Sequence, residues 1–550
     1  MGYTPRVLVV GGGATGAAVA RDLAMRGLEV TLLDRGPLAS GATGRSPGLL
    51  HSGARFAASN PDVATRYHTE TERLRTIASH CVDETGGLIA ALPGDGGHLE
   101  RTREACEAAG IDVEGLDADG VQKLEPRLST DVEGGLFVPD AAADPFRLTV
   151  ATAASAREYG ASIETHAAVT GVLIEDGAVR GVEVRLDDVG EHEELRVDYV
   201  VNAAGPWAGQ VGALAGLEVP LARSTATGLV VNERPTEAVV TRPRSDGGRD
   251  TIVPFDRRCV LEVTGEGPDD VAVDAPLADL SALVAGLSAA RPLRSFRGMR
   301  ATLDADAEMD DGVTGLTSGY HVIDHEQRDG LWGISTVVGS PVALSRLAAE
   351  AVTDQVCEKF GIARGCLTGQ HALPGSESEP DVGAVAQEFG LDRTVASRAA
   401  DRLGGRAREV LGATDPNPVV CACESVTRAE IQNAIDEGRG DPTDLDAVRI
   451  RTRAGMGECQ GARCCHRVAT ELYPSQGLSA VDAGLDEFVR SRWSGWQRAL
   501  WGDQLAAAME GYALHATTMN RDTERGEIDL DAFDSGPAPE SAGANGGDAS

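Results

Sequence analysis

The sequence has almost no lysine, far fewer basic than acidic residues and no long apolar run, and the last two features each argue against a class of protein. Lys123 and Lys359 are its only lysines, so the 50 basic residues are nearly all arginine. The sequence has 85 acidic residues, many more than its basic ones. The formal charge of −35 argues against nucleic-acid binding, because a polyanion would be repelled. No run of about 18 or more apolar residues occurs, so the sequence predicts no membrane-spanning helix of its own.

The acidic residues are spread over the whole chain rather than gathered in one patch. Such a surface is typical of halophilic proteins, in which salt screens the repulsion between like charges. The alternative is an acidic surface without that meaning. The first apolar strand begins within a few residues of the N-terminus, so we expect no signal peptide and a cytoplasmic protein.

Residues 7–34 follow the order strand, glycine-rich turn, helix, strand and acidic residue. Gly11, Gly13 and Gly16 form the pattern G-x-G-x-x-G. In this pattern the first glycine allows the turn, the second lets a pyrophosphate approach the backbone, and the third lets the helix pack against the strand. Asp34 ends the second strand, where a carboxylate can accept hydrogen bonds from a ribose. The stretch therefore predicts a dinucleotide-binding domain.

A second stretch, residues 38–56, is rich in glycine and serine and contains Arg45, His51 and Arg55. Small residues let the backbone approach a ligand closely, and hydroxyl and guanidinium groups can hold phosphate oxygens. Between the motifs, the residue pattern predicts helices over 61–117, sheet strands over 162–186 and 219–303, and a helix over 342–360.

The segments GGGATGAAVARDLAMRG and ASGATGRSPGLLHSGARF, residues 11–27 and 39–56, resemble the flavoprotein dehydrogenases of sn-glycerol 3-phosphate. The resemblance is strongest to the large catalytic subunits of the anaerobic, three-subunit enzymes. It implies FAD rather than NAD, because in that family the second segment runs beneath the flavin ring. It also implies an α/β fold in which a Rossmann-like FAD domain is interleaved with an antiparallel-sheet substrate domain, as in D-amino-acid oxidases, followed by a small α+β iron–sulfur domain and C-terminal helices.

The same resemblance implies which residues contact the FAD. They are Gly11, Gly13, Ala14, Thr15, Gly16, Asp34, Arg35, Thr43, Gly44, Arg45, Leu50, His51, Val169, Ala204, Gly205 and Gly339. For catalysis it implies Arg300, the last residue of RPLRSFRGMR, as the residue that holds the anionic end of the substrate, with Arg55 as a helper. His51 is the candidate general base, because an imidazole titrates in the useful range. A surface ion pair for Arg300 and a packing or flavin-contacting role for His51 are the alternatives.

Several positions on the substrate side depart from the family pattern. Gly339-Ser340-Pro341 replaces a usual Gly-Gly-Lys, Leu344 and Ser345 stand at positions of tyrosine or threonine, and Phe56 stands where a tyrosine is usual. Residues 262–264, Glu-Val-Thr, replace a Gly-Thr-Thr stretch. These changes remove donors that would meet a phosphate. Two alternatives therefore stay open: a related dehydrogenase for another 2-hydroxy acid or an amine, and an electron-transfer subunit whose active site has decayed.

Five of the ten cysteines gather near residues 421–465. A C-x-C pair and a C-x4-C pair are separated by a predicted helix, residues 428–437, and a predicted strand, residues 447–452. Two close pairs joined by a small folded unit suit a four-thiolate site, which can hold a [2Fe–2S] cluster or a zinc ion. The motif RxGMGxCQGxxC, residues 453–464, resembles that of the [2Fe–2S] domain named after bacterioferritin-associated ferredoxin. That resemblance implies four iron ligands and leaves Cys465 as a spare; the ligands are Cys421, Cys423, Cys459 and Cys464.

The sequence predicts five consecutive regions. They are an FAD-dependent oxidoreductase over 1–366, a linker and helical spacer over 367–415, the iron–sulfur domain over 416–474, a helical segment over 475–522 and a disordered acidic tail over 523–550. The resemblance implies oxidation of sn-glycerol 3-phosphate to dihydroxyacetone phosphate. It further implies that electrons pass through FAD and the cluster to partner subunits B and C and then to a quinone, with the chain held peripherally on the inner face of the membrane by its partners.

Overall fold

The structure is a computed structural model that describes residues 3–94, 96–186, 191–244, 248–264, 277, 280–304, 313–316, 319–414, 416–437, 444–499, 505–506, 509–510 and 512–513. The helices are α1 (Ala14–Met25), α2 (Pro61–Ile77), α3 (Gly96–Ala108), α4 (Ala118–Leu124), α5 (Pro145–Glu158), α6 (Ala208–Leu214), α7 (His325–Asp329), α8 (Ser345–Lys359), α9 (Val382–Phe389), α10 (Arg393–Leu403), α11 (Ala407–Gly412), α12 (Arg428–Glu437), α13 (Leu445–Thr452) and α14 (Cys465–Ala499). The strands are β1 (Arg6–Val10), β2 (Glu29–Leu33), β3 (Leu49–Leu50), β4 (Val82–Asp83), β5 (Gly87–Ala91), β6 (Glu114–Asp117), β7 (Gly134–Val138), β8 (Ala141–Ala143), β9 (Ser162–Glu164), β10 (Ala167–Glu175), β11 (Ala178–Leu186), β12 (Glu191–Arg196), β13 (Tyr199–Asn202), β14 (Leu221–Val231), β15 (Val239–Pro243), β16 (Arg249–Phe255), β17 (Arg258–Thr264), β18 (Pro292–Leu303), β19 (Val313–Leu316), β20 (Tyr320–Asp324), β21 (Ile334–Gly339), β22 (Val419–Cys421) and β23 (Val426–Thr427).

The first sheet has seven strands in the order β19-β20-β21-β13-β1-β2-β9. Its centre is parallel, and β1 lies between β13 and β2. Val7 and Val9 pack in the core that contains helices α1, α5 and α8, whereas Leu8 and Val10 pack against the antiparallel strands β10 and β11. Both faces of β1 are therefore covered, which explains why the strand is a continuous apolar run.

The second sheet has eight strands in the order β18-β14-β17-β16-β15-β5-β7-β6. It combines two distant parts of the chain, residues 87–138 and 221–303, and this combination interleaves the two subdomains. The predicted helices over 61–117 are wrong at β5 and β6, although α2 and α3 are present. A short apolar run such as that of β5 fits a helix or a strand equally well, and its pairing with β15 and β7, far away in sequence, makes it a strand.

Helices α9 to α11 form the predicted helical spacer, and the cysteine-rich domain follows. Residues 447–452 were expected to form a strand, and this prediction is wrong because they belong to helix α13. Asp444 caps that helix by accepting a hydrogen bond of 2.6 Å from the Ala447 N–H. Helix α14 is interrupted at Gly477, where φ is 76°. Residues 523–550 lie outside the described part, and none of the described helices is both long and apolar enough to cross a membrane.

Candidate active site

A cavity of about 1250 Å³ lies between the two large sheets. On one side it is bordered by the residues that follow the carboxyl ends of β1, β2, β13 and β21. On the other side it is bordered by residues of β14, β16, β17 and β18. The carboxyl edge of a parallel sheet is where α/β proteins bind nucleotides, so the cavity has one nucleotide end and one end roofed by the second sheet.

The nucleotide end is built on the turn between β1 and α1. Gly11 adopts a φ of 112°, and a Cβ atom there would lie 2.6 Å from the Ala203 carbonyl oxygen, so this position requires glycine. Helix α1 begins at Ala14 and has no acidic residue in its first turn. Its Ala14 N–H donates a 3.1 Å hydrogen bond to Thr43 Oγ1, which ties the second glycine-rich stretch to the helix start. The positive end of α1 therefore faces the cavity, as phosphate binding requires.

Asp34 is held in one orientation by two backbone donors. Its Oδ2 accepts a 2.6 Å hydrogen bond from the Gly12 N–H, and its Oδ1 accepts one of 2.8 Å from the Gly36 N–H. Burial raises the pKa of Asp34, and the two N–H donors act in the opposite direction. The carboxyl group lines the cavity at the end of β2, where the sequence predicts ribose binding.

Most of the predicted cofactor residues line this cavity. They are Gly11, Gly13, Ala14, Thr15, Asp34, Arg35, Thr43, Arg45, His51, Val169, Ala204, Gly205 and Gly339. Three others lie behind the wall. A Cβ atom at Gly16 would lie 1.8 Å from the Gly11 carbonyl oxygen, and one at Gly44 would lie 2.3 Å from that of Ala39, so both glycines allow close packing. Leu50 is buried in β3, paired with β8.

Two features at the far end of the nucleotide region fit a flavin. The Ser340 hydroxyl lines the cavity, is buried, and has no hydrogen-bond partner among the described residues. Gly205 adopts a φ of 55°, and a Cβ atom there would have no other atom within 4 Å, so the backbone leaves open space on the cavity wall. A polar ring edge would satisfy the orphaned hydroxyl, and a flat ring would fill the space. The residues present therefore fit an FAD.

The catalytic residues predicted from the sequence meet at the end roofed by the second sheet. His51, Arg55 and Arg300 all line the cavity there, and so does Arg249 from the start of β16. Sequence reasoning missed Arg249, because its only local signal is an arginine before an apolar strand. The antiparallel pairing of β16 with β17 brings it to the site. Three guanidinium groups thus surround one imidazole.

His51 is an uncharged imidazole in this setting. It is buried, its ring centroid lies 4.0 Å from that of Tyr67, and its Nδ1 has no hydrogen-bond partner among the described residues. Burial lowers the pKa of His51 well below 6.5, and the charges of Arg55, Arg249 and Arg300 lower it further. The ring is therefore neutral at pH 7 and able to accept a proton.

The three arginines differ in how their charges are balanced. Arg300 donates to Glu262, whose carboxylate is buried in β17 and lines the cavity. Burial and the nearby Arg249 lower the pKa of Arg55 to about 9, and the Arg55 Nε has no hydrogen-bond partner among the described residues. Burial and Arg300 likewise lower the pKa of Arg249. Because each cation destabilises the others, the site favours a multiply charged anion.

The four predicted iron ligands form two contacting pairs. The Cys464 thiol donates a hydrogen bond to Cys421 and lowers the pKa of Cys421 to about 6. Cys423 and Cys459 form the second hydrogen-bonded pair. A [2Fe–2S] cluster takes four thiolates, two on each of its iron atoms, so two separate pairs match its needs. The arrangement of the thiols therefore fits the predicted cluster.

Backbone donors surround these sulfurs. The N–H groups of Glu424 and Gly455 donate to Cys421, and those of Gly461 and Arg463 donate to Cys459. Such donors stabilise thiolate ligands and tune the potential of a cluster. Cys465 is buried beside this set and begins α14.

Glu424, next to a ligand cysteine, joins the cysteine-rich domain to the oxidoreductase. Its carboxylate accepts hydrogen bonds from Arg258 of β17 and from Arg453, and Arg453 also donates 2.6 Å to Asp144 at the start of α5. Burial alone would raise the pKa of Glu424, but Arg453 and Arg258 hold it below its ordinary range. The cysteines are therefore fixed against the sheet that roofs the cavity.

Residues 6–355, nearly two thirds of the chain, match the family described as FAD dependent oxidoreductase. The chain belongs to this family. Residues 419–472 match the BFD-like [2Fe-2S] binding domain. These matches confirm the fold class and both cofactors predicted from the sequence, FAD and a [2Fe–2S] cluster, and they set aside the zinc alternative.

Two curated relatives of this FAD dependent oxidoreductase extend over nearly its whole length. The A1 subunit of the anaerobic glycerol-3-phosphate dehydrogenase of Haloferax volcanii is 46% identical over 100% of the chain and 97% of that protein. The corresponding subunit of the anaerobic glycerol-3-phosphate dehydrogenase of Escherichia coli K12 is 37% identical over 91% of the chain and 94% of that protein. The resemblance stated from the two glycine-rich segments is confirmed.

A solved structure shares the fold of this oxidoreductase. Glycerol-3-phosphate dehydrogenase from Bacillus halodurans, complexed with FAD, superimposes with a TM-score of 0.59. It is 19% identical and covers 94% of this chain and 95% of its own. At that identity the likeness supports the architecture alone.

Proposed function

We propose that this protein oxidises sn-glycerol 3-phosphate to dihydroxyacetone phosphate. The observation that carries the proposal is the group of Arg55, Arg249 and Arg300 around the neutral His51, at the end of a cavity that fits FAD. A phosphate dianion is the ligand that three converging guanidinium groups select. The relatives from Haloferax volcanii and Escherichia coli are named for the same substrate.

The arginines compensate for the lysine that the family pattern has at Pro341. Arg249 brings a positive charge to the site from β16, and Arg300 reaches it from β18. Glu262 orients Arg300 through their hydrogen bond and leaves the remaining N–H groups of Arg300 for the substrate. The net charge of the site therefore stays positive without the lysine, which favours a phosphorylated alcohol over an uncharged one.

His51 takes the hydroxyl proton of the substrate. Its Nδ1 carries no hydrogen bond from the described residues, and its pKa is low because it is buried and three arginines surround it. A bound phosphate dianion offsets those charges, so the imidazole becomes a stronger base when the substrate is present. Proton removal is thereby coupled to recognition of the phosphate.

Bound FAD would supply the hydride acceptor for the substrate carbon. The N-terminus of α1 would hold its phosphates, Asp34 its ribose, and the turn of Gly339 and Ser340 its ring. The [2Fe–2S] cluster, when bound by its four cysteines, carries single electrons. The hydrogen bond from Arg258 of β17 to Glu424 keeps those cysteines docked against the catalytic sheet.

The relatives are named as subunits, so this chain works within a complex. Its partners are subunits B and C of an anaerobic dehydrogenase, with a quinone as the final acceptor. Membrane attachment is peripheral and comes from these partners. We also propose that the protein is cytoplasmic and halophilic, and the acidic residues spread over the whole chain support the second part of this proposal.

Anaerobic reduction of the bound flavin tests the proposal. Purified protein in potassium chloride is mixed with sn-glycerol 3-phosphate, glycerol, 2-hydroxy acids or amino acids, and the flavin absorbance is followed. We expect rapid bleaching by sn-glycerol 3-phosphate alone. Faster bleaching by another alcohol or by an amine would move the assignment to a related dehydrogenase, and absence of bleaching by every compound would indicate a decayed active site.

A further inference from the structure

A second group of arginines, two of them buried and one half-buried, lies where the catalytic sheet meets the helices of the cysteine-rich region. Arg294 belongs to β18, Arg449 to α13 and Arg492 to α14. Asp446, on α13, is the acid they share, because its Oδ1 lies 2.7 Å from Arg449 Nε and 3.7 Å from Arg492 Nη2. We call Arg294, Arg449 and Arg492 the arginine cluster.

Among the described residues, the arginine cluster has more positive charge than Asp446 balances, and Asp444, the other carboxylate on which Arg449 acts, lies beside His166. Arg492 is 3% exposed, and its Nε and Nη2 are buried without a hydrogen-bond partner among the described residues. The same is true of Arg294 Nε. Buried N–H groups of a charged side chain are costly unless they donate to something. In the part of the chain that the structure describes, these N–H groups therefore lack an acceptor.

The electrostatics of the group agree with this shortage. Burial lowers the pKa of Arg492 well below its ordinary value, and the charges of Arg449 and Arg294 lower it further. Burial and Arg449 lower the pKa of Arg294 to about 10. Aromatic rings cover two of the guanidinium planes: Arg449 Cζ lies 5.6 Å from the Phe146 centroid and Arg492 Cζ lies 5.0 Å from that of Phe488. Rings stabilise the faces of these cations but do not satisfy the N–H groups at their edges.

We propose that the arginine cluster binds a small inorganic anion, a halide such as chloride, between β18 and helices α13 and α14. A spherical anion can accept hydrogen bonds from several directions, so it can satisfy N–H groups from separate segments at once. The acidic composition indicates a salt-rich cytoplasm, in which a halide is abundant. The bound anion bridges the oxidoreductase and the cysteine-rich region and stabilises their docking.

This site is distinct from the one that holds the substrate. Arg294 and Arg300 lie on the same strand, six residues apart, which is about 20 Å at about 3.3 Å per residue. Arg45 lines the cavity and its charge acts on Arg294 and Arg449, but its Nη1 already donates to the carbonyl oxygens of Ser40 and Gly41. The anion therefore binds independently of the proposed function.

Matched variants on one helix test the proposal. Arg492→Met removes the buried cation, and Arg490→Met removes an exposed one that pairs with Asp486 on the same helix. Thermal unfolding of the full-length holoprotein is measured in potassium chloride and in potassium glutamate at equal potassium concentration. We expect the Tm of the wild type and of Arg490→Met to respond alike to chloride. We expect the rise in Tm caused by chloride to be about 2–4 °C smaller in Arg492→Met, because this variant loses the bound anion and ligand binding raises Tm.

Diffraction from wild-type crystals grown in potassium bromide gives an independent measurement that needs no variant to fold. We expect an anomalous bromide peak within hydrogen-bond distance of Arg492 Nε. A map without that peak would overturn the proposal. So would an equal response to chloride in Arg492→Met and Arg490→Met.

Discussion

Replacing Arg249 with glutamine tests the active site most directly, because only the tertiary structure assigns this arginine to the site. Arg249 has two separable effects: it is one of three cations for the phosphate, and its charge lowers the pKa of His51. Arg249→Gln should therefore change both substrate binding and the pH profile. A residue with only a structural role would not produce that combination.

The binding effect can be estimated from one lost hydrogen bond to a charged group. Such a bond contributes about 1.5–3 kcal/mol, which corresponds to a rise in KM of about 10- to 150-fold. The phosphate does not react, so kcat should change much less than KM. In the pH profile of kcat/KM, the acidic limb should move to higher pH, because loss of a neighbouring cation raises the pKa of His51.

Steady-state kinetics with an artificial electron acceptor over a range of pH measure both effects. Arg297→Gln, a change at an exposed arginine of β18, is the matched control and should keep the wild-type constants. Retained flavin absorbance in Arg249→Gln shows that the cofactor site is intact. A KM within about twofold of wild type, or an acidic limb that does not move, would refute the assignment of Arg249 to the phosphate site.

Three further predictions concern His51, Glu424 and the cysteines. His51→Asn should lower kcat by about 10²- to 10⁴-fold with flavin content unchanged, and a near-normal kcat would exclude His51 as the base. In the wild type, the acidic limb of the pH profile of kcat/KM should lie below pH 6.5, because the pKa of His51 is lowered. Glu424→Gln should reduce the free energy of unfolding by about 3–5 kcal/mol, because a buried arginine loses its carboxylate, whereas Glu437→Gln at a more exposed pair should cost less than about 1 kcal/mol; equal effects in a denaturant titration would contradict this. Because the pKa of Glu424 is lowered in the folded protein, its stabilisation should be present above about pH 4.5 and be lost as the pH falls below that value. Cys464→Ser should lose bound iron and Cys465→Ser should keep it; iron analysis showing the reverse would exchange their roles.

The nucleotide half of the site was predictable because its chemistry is local. Gly11, Gly13 and Asp34 lie within one strand–helix–strand unit, where a turn, a helix end and a strand end follow each other in sequence. The order strand, turn, helix and strand predicted for residues 7–34 is confirmed by β1, α1 and β2. The cysteine segment was predictable for the same reason, since closely spaced pairs of cysteines indicate a metal site from the sequence alone.

The substrate half was only partly predictable. Arg55 and Arg300 were expected from motif wording, but Arg249 has no motif and reaches the site through the register of β16 on β17. The strand predicted over residues 447–452 is a helix, because an N-terminal cap and the absence of a neighbouring strand among the described residues outweighed its alternating pattern. The position of Arg249 and the secondary structure of residues 447–452 both depend on contacts with segments far away in the sequence.

By itself, the sequence determined a dinucleotide site followed by a four-thiolate site and an acidic composition, because each is set by neighbouring residues or by residue counts, and the family resemblance implied which cofactors these sites hold. The tertiary structure alone decided which cations share a site. Arg55, Arg249 and Arg300 meet around His51, and Arg294 and Arg492 meet elsewhere, because the register of the second sheet and the docking of helix α14 bring remote segments together. Like charges repel, so clustering of arginines is not expected from the sequence. Which arginines lie together could therefore be seen only in the folded chain.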